Sequence, residues 1–247
     1  MRMFSCGKST AQAGPPDGLS TYGSYVRLLA ALLAVLPLGH SVDGRAIRPV
    51  VLGSAAAAHR VLVVGCIHGS EPAGIAITRR LVAAGAPAGT EIVVVSAMNP
   101  DGCARGTRGN AHGVDLNRNF PSNWSRIGWP GDLQYSGPRP LSEPEARYAV
   151  ALIEALRPEI TIWFHQPQGV VRAWGQSRAT ARRFAALAAY PYRDIAWPYG
   201  TASNWQNHRF PGTASFVVEL PPGALPSARV ARWVRAVREI AVEGVHR

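Results

Sequence analysis

The chain has 247 residues, 47% hydrophobic and 17% charged, which excludes a disordered polypeptide and suits one α/β domain or two small ones. Its net charge of +11 first suggests a polyanionic partner. Of the 26 basic residues, however, only Lys8 is a lysine, the arginines are scattered, and no aromatic ladder runs among them. Nucleic acid is therefore not expected as a partner, and the arginine excess reads as the mark of a G+C-rich genome.

In chain order, residues 1–24 are rich in Ser, Gly and Pro and carry no hydrophobic period. LLAALLAVLPLG (28–39) is too short to span a bilayer and resembles a signal-peptide core. It runs directly into SVDGRAIRPVVLG (41–53), which reads as an opening strand. That continuity favours a cytoplasmic location over export, with no stable membrane insertion. The expected organisation is a leader over 1–37 and one catalytic domain over 38–247; the oligomeric state is left open.

RVLVVGC (60–66), EIVVVSAM (91–98), EITIWF (159–164) and ASFVVEL (214–220) follow as short continuous apolar runs, the pattern of strands covered on both faces. Helical patterns lie between and after them, in AGIAITRRLVAAG, SEPEARYAVALIEALRP, RATARRFAALAAYP and SARVARWVRAVREIAVEG. Ser142 and Glu145 fit a capping box at the start of the second. The alternation predicts a single α/β domain: a mixed, mostly parallel central sheet covered by helices on both faces. The cysteines, Cys6, Cys66 and Cys103, are odd in number and widely spaced, so no disulfide framework is expected, and Cys66 reads as a small buried hydrophobe.

In open α/β sheets, ligands bind beyond the carboxyl ends of the strands. The first apolar run is followed by His68 and Glu71, the second by Asn99 and Asp101 and the third by His165 and Gln166, while Glu219 ends the fourth. A hydrolytic zinc site takes three protein ligands from His and carboxylate and keeps one position open. His68, Glu71 and His165 supply such a set, and Glu219 is left as a free base in an apolar run that would otherwise bury its charge at a cost. The long glycine-rich stretch NPDGCARGTRGNAHGVDLNRNFP (99–121) adds Asn117 and also Arg105, Arg108 and Arg118, whose guanidinium forks suit carboxylates and a developing oxyanion.

HGSEPAG, NPDG, GVDLNRNFP, YSGPRPLSEPEAR, ITIWFHQ and FVVELPPG occur in that order. With these motifs the chain resembles the zinc carboxypeptidases, and within them the small bacterial branch of murein tripeptide amidase and γ-D-glutamyl-diaminopimelate peptidases. The resemblance implies one zinc ion per chain, held by His68, Glu71 and His165. It implies Glu219 as general base, Arg108 as the oxyanion-stabilising arginine with Arg105 as competitor, and Asn117 and Arg118 as the grip on the substrate's terminal carboxylate. Tyr199 is the nearest candidate for a tyrosine closing over the substrate. The implied substrate is a peptide with a free carboxylate, with murein tripeptide favoured. A zinc-dependent deacylase of N-acyl amino acids is the alternative enzyme, and a non-catalytic binder of peptidoglycan peptides the alternative outside enzymes.

Overall fold

The computed structural model describes residues 36–246. The leader expected over 1–37 therefore lies, but for its last two residues, outside the described residues. A small hairpin, β1 (Gly39–His40) with β2 (Ala46–Ile47), opens the domain. The main sheet has seven strands: β3 (Val50–Gly53), β4 (His59–Val64), β5 (Thr90–Val95), β6 (Ile160–His165), β7 (Val170–Ala173), β8 (Tyr192–Asp194) and β9 (Ala214–Glu219). Their spatial order is β3-β5-β4-β6-β9-β7-β8.

The four central strands, β5, β4, β6 and β9, run parallel. β3 pairs antiparallel with β5, and β7 antiparallel with β9, so the sheet is mixed at its margins. Every residue of β5, β6 and β9 is buried. That is why these runs read as unbroken apolar stretches instead of alternating ones.

Among the described residues the α-helices are α1 (Ala73–Ala84), α2 (Pro100–Arg105), α3 (Pro144–Leu156), α4 (Arg178–Leu187), α5 (Ala202–Arg209) and α6 (Ser227–Glu243). The period-2 alternation of each strand sorts its side chains between two cores. Val61, Val63, Ile162 and Phe164 pack with Ile77 and Leu81 of α1, Phe184 of α4 and Trp233 of α6. Leu62, Val64, Trp163 and Val217 pack on the other face with Leu152 and Ile153 of α3 and with Trp205 of α5. No helix among the described residues is long and apolar enough to cross a membrane.

Several details depart from the sequence reading. The expected opening strand over 41–53 is divided into β2 and β3, with β1 just before it. Ser142 and Glu145 form no capping box: α3 begins after Glu143 without a side-chain cap. Glu145 turns inward instead, where the Val42 amide at 3.1 Å and the Asn110 amide at 3.0 Å donate to it. Cys66 and Cys103 are joined as a disulfide across 37 positions of sequence. The contact arises because the β4–α1 turn lies directly on α2. A Cβ at Gly69 would collide with the backbone of Gly102 and Cys103, so only glycine permits that approach.

Candidate active site

The carboxyl ends of β4, β6 and β9 open into one cleft of about 230 Å³. His68 and Glu71 lie on the turn from β4 into α1, His165 is the last residue of β6, and Glu219 the last of β9. His165 and Glu219 are partners in the parallel pairing, which sends both side chains to the same face.

His68, Glu71 and His165 are all buried, and one possible ligand atom of each lies within 4.8 Å of the others. His68 Nδ1 is 2.9 Å from Glu71 Oε1, His165 Nδ1 is 3.0 Å from Glu71 Oε2, and the two Nδ1 atoms are 3.1 Å apart. Zinc bonds of about 2.0–2.2 Å in tetrahedral geometry put neighbouring ligand atoms roughly 3.3–3.5 Å apart, so a small outward adjustment of the three side chains makes room for an ion. Two imidazole nitrogens facing each other are also poor mutual partners, since each supplies a lone pair to a cation better than to its neighbour. The donor set fits zinc.

Asp115, which sequence reasoning quoted within GVDLNRN but gave no role, organises the set. Its Oδ1 lies 2.9 Å from His68 Nε2 and accepts the Asn117 amide at 2.9 Å, while its Oδ2 accepts from Arg108 Nε at 2.9 Å. The far nitrogen of His68 is thereby occupied and Nδ1 is aimed at the metal position, the usual support for a ligating imidazole. Burial alone would lift the Asp115 carboxyl, but His68, Arg108 and Arg118 hold it well below the ordinary range. Burial likewise opposes charge on Glu71, yet hydrogen bonds with His165 and His68 keep it far below a normal glutamate. Burial opposes a proton on His68, but Asp115 and Glu71 raise its pKa above the usual imidazole value. The only sequence signal for Asp115 was a carboxylate within an otherwise apolar, amide-rich turn.

Arg108 sits in the cleft with NH1 donating to Glu71 Oε1 at 2.8 Å, whereas Arg105 turns away to Asp43 at 2.6 Å. Asn117 and Arg118 line the same cleft, held by a 3-10 turn over Leu116–Arg118. Asn117 Oδ1 accepts from the Ala202 amide at 3.0 Å, which fixes its orientation against α5, and burial lowers the pKa of Arg118. Glu219 is 6% exposed, and its Oε2 is buried with no hydrogen-bond partner among the described residues.

Two expectations separate from this cluster. Tyr199 does not line the cleft; it is 57% exposed on a neighbouring groove with Trp174 and His208, because the turn before α5 directs it outward. Asn99 and Asp101 are structural: Asn99 caps α2 by accepting from the Gly102 amide at 2.9 Å, and Asp101 binds the opening hairpin through Ser41, Asp43 and Arg45.

The family model described as zinc carboxypeptidase matches residues 26–209. Murein peptide amidase A of Escherichia coli (strain K12) is 33% identical over 150 residues, or 53% of this chain and 60% of the relative; the match thus spans less than two thirds of that protein. The Vibrio campbellii (strain ATCC BAA-1116) protein of the same name is 37% identical over 178 residues, covering 66% of this chain and 70% of the relative. The crystal structure of a murein-tripeptide amidase from Escherichia coli O157 superposes with a TM-score of 0.66 at 25% identity, over 82% of this chain and 89% of that one.

Proposed function

The chain belongs to the zinc carboxypeptidase family, and from that premise we propose that it hydrolyses the amide bond preceding a residue with a free carboxylate in murein peptides. The observation carrying this reading is the meeting of His68, Glu71 and His165 in one cleft with a buried, unpartnered carboxylate, Glu219, and with Arg108, Asn117 and Arg118. The murein relatives support the substrate class.

His68, Glu71 and His165 would hold the zinc. When bound, zinc supplies Lewis acidity, polarising a carbonyl and lowering the pKa of a water molecule to about 7. Glu219 takes a proton from the attacking water and passes it to the departing amine; its Oε2 has no competing donor among the described residues. Arg108, oriented by Asp115, presents its cation to the oxyanion that develops on the scissile carbonyl. Asn117 and Arg118 grip the terminal carboxylate and so fix which bond meets Glu219.

The test is release of diaminopimelate from L-alanyl-γ-D-glutamyl-diaminopimelate by zinc-loaded protein, beside a Glu219→Gln variant and an N-acyl amino acid. Release that the variant loses, at unchanged zinc content, supports the reading. Turnover of the N-acyl amino acid alone overturns it in favour of a deacylase.

A further inference from the structure

Among the described residues, Arg172 is the cation of the cleft that the chemistry above does not use. Arg172, on β7, lines it together with Arg118, Trp197, Val217 and Glu219. Its neighbours Val171 and Ala173 point into the core beneath α4, so the alternation of the strand sends Arg172 to the opposite face. In the antiparallel pairing of β7 with β9, Val170 stands opposite Glu219 and Arg172 opposite Val217. Arg172 is therefore the diagonal neighbour of Glu219 on the cleft side of the sheet.

The guanidinium is almost uncommitted. Arg108 is engaged by Asp115 and Glu71, and Arg118 donates to the Asn117 carbonyl at 2.8 Å. Arg172 has one long contact to a backbone carbonyl, Ala196 at 3.3 Å, and its carbon lies 5.8 Å from the centre of the Trp197 ring. Its Nε is buried with no hydrogen-bond partner among the described residues. Buried donors are nearly always satisfied, and one left open in a binding cleft calls for an acceptor from outside the chain. Glu219 supplies charge balance without a hydrogen bond, and Glu219 must stay free to move a proton.

Position decides what that acceptor is. Asn117 is tied to the first amide of α5, and Thr201, Val217, Trp197 and Arg172 line the same cleft as Asn117 and Arg118. A residue whose terminal carboxylate is held by Asn117 and Arg118 therefore has Arg172 within the same cleft as its side chain. We infer that Arg172 binds a second carboxylate, carried on the side chain of the residue released, and so selects substrates ending in a dicarboxylic amino acid. The planar fork of arginine matches such a carboxylate in a way a lysine would not. This inference rests on the peptidase reading and names the substrate feature that its cleft recognises.

Diaminopimelate and lysine differ by one carboxylate, so paired peptides L-alanyl-γ-D-glutamyl-diaminopimelate and L-alanyl-γ-D-glutamyl-lysine isolate the contact. The zinc enzyme should favour the first by about 10- to 100-fold in kcat/KM. Arg172→Gln should bring that ratio close to one, and Arg172→Lys should retain part of it. Free diaminopimelate should inhibit the wild-type enzyme more strongly than free lysine, a comparison that needs no variant to fold. Equal cleavage of both peptides by the wild type, or a ratio that Arg172→Gln leaves intact, overturns the assignment while the peptidase reading stands. So does a variant that instead loses its response to amidation of the glutamyl α-carboxylate, since Arg172 would then serve the other side of the bond. Cleavage of neither peptide overturns the murein reading and this assignment together.

Discussion

Asp115 and His68 form the pair on which the candidate metal centre depends: Asp115 Oδ1 lies 2.9 Å from His68 Nε2, both side chains being buried. The other oxygen of Asp115 is claimed by Arg108, so a single carboxylate orients a metal ligand and an oxyanion donor at once. Replacing Asp115 by Asn keeps the shape but removes the charge that both partners need. The expected result is a zinc affinity about 10–100-fold weaker, read by competition with a chromophoric chelator. Unaltered affinity would show that His68 is held by packing alone.

Arg118 should act on binding more than on turnover. Arg118→Gln is expected to raise KM for a free-carboxylate peptide by about 10–100-fold with a smaller fall in kcat. The same peptide with an amidated terminus should be nearly indifferent to the change. Steady-state kinetics on the two peptides checks this, and an equal loss on both would remove Arg118 from carboxylate recognition.

Gly69 tests the close approach of the β4–α1 turn to α2. A methyl group there meets the backbone of Gly102 and Cys103, which has no flexible end to yield. Gly69→Ala should cost about 1–3 kcal/mol of stability and weaken zinc binding, because His68 is the adjacent residue. Thermal unfolding with and without zinc separates the two effects: metal binding to the folded state alone should raise Tm in the wild type more than in the variant.

Acid stability should report on Asp101. Burial alone would raise its carboxyl, but the Asp43 amide, Arg45 and Ser41 together hold it below the ordinary aspartate value. A depressed pKa in the folded state means stability that is fully present above the unfolded value, near pH 4, and is lost as pH falls through the folded one. Asp101→Asn should cost about 1–2 kcal/mol at neutral pH. Its deficit should shrink as pH drops below about 4, where the wild type loses the same contribution. Urea titrations at pH 7 and pH 3 measure the difference.

The elements legible in the sequence are those whose signal is local. β4, β5, β6 and β9 are runs of Val and Ile that stand out because both sheet faces are covered. Their ends mark His68, His165 and Glu219 as residues of one rim. β7 and β8 are only four and three residues long, too short to carry a period. α5 (ASNWQNHR) is mostly polar yet buried, because Gln206 donates to Thr161 at 2.9 Å and Asn207 exchanges hydrogen bonds with Ser215. Such compensation depends on partners distant in the chain, as do the Cys66–Cys103 bridge and the role of Asp115. Nothing in the sequence around Tyr199 sets the direction in which the turn before α5 presents it.

The rung shared by His165 and Glu219 has a further consequence. A metal ligand and a proton carrier set on one rung of parallel strands have a spacing that no loop can adjust, and a one-residue slip of β9 would turn Glu219 into the opposite core. Chemistry is thereby inherited with the frame, whereas the segments that wall the cleft, around Leu133 and from Trp197 to Thr201, hang outside the sheet. Substitutions confined to those margins therefore leave the spacing of His165 and Glu219 untouched while changing what the cleft can hold.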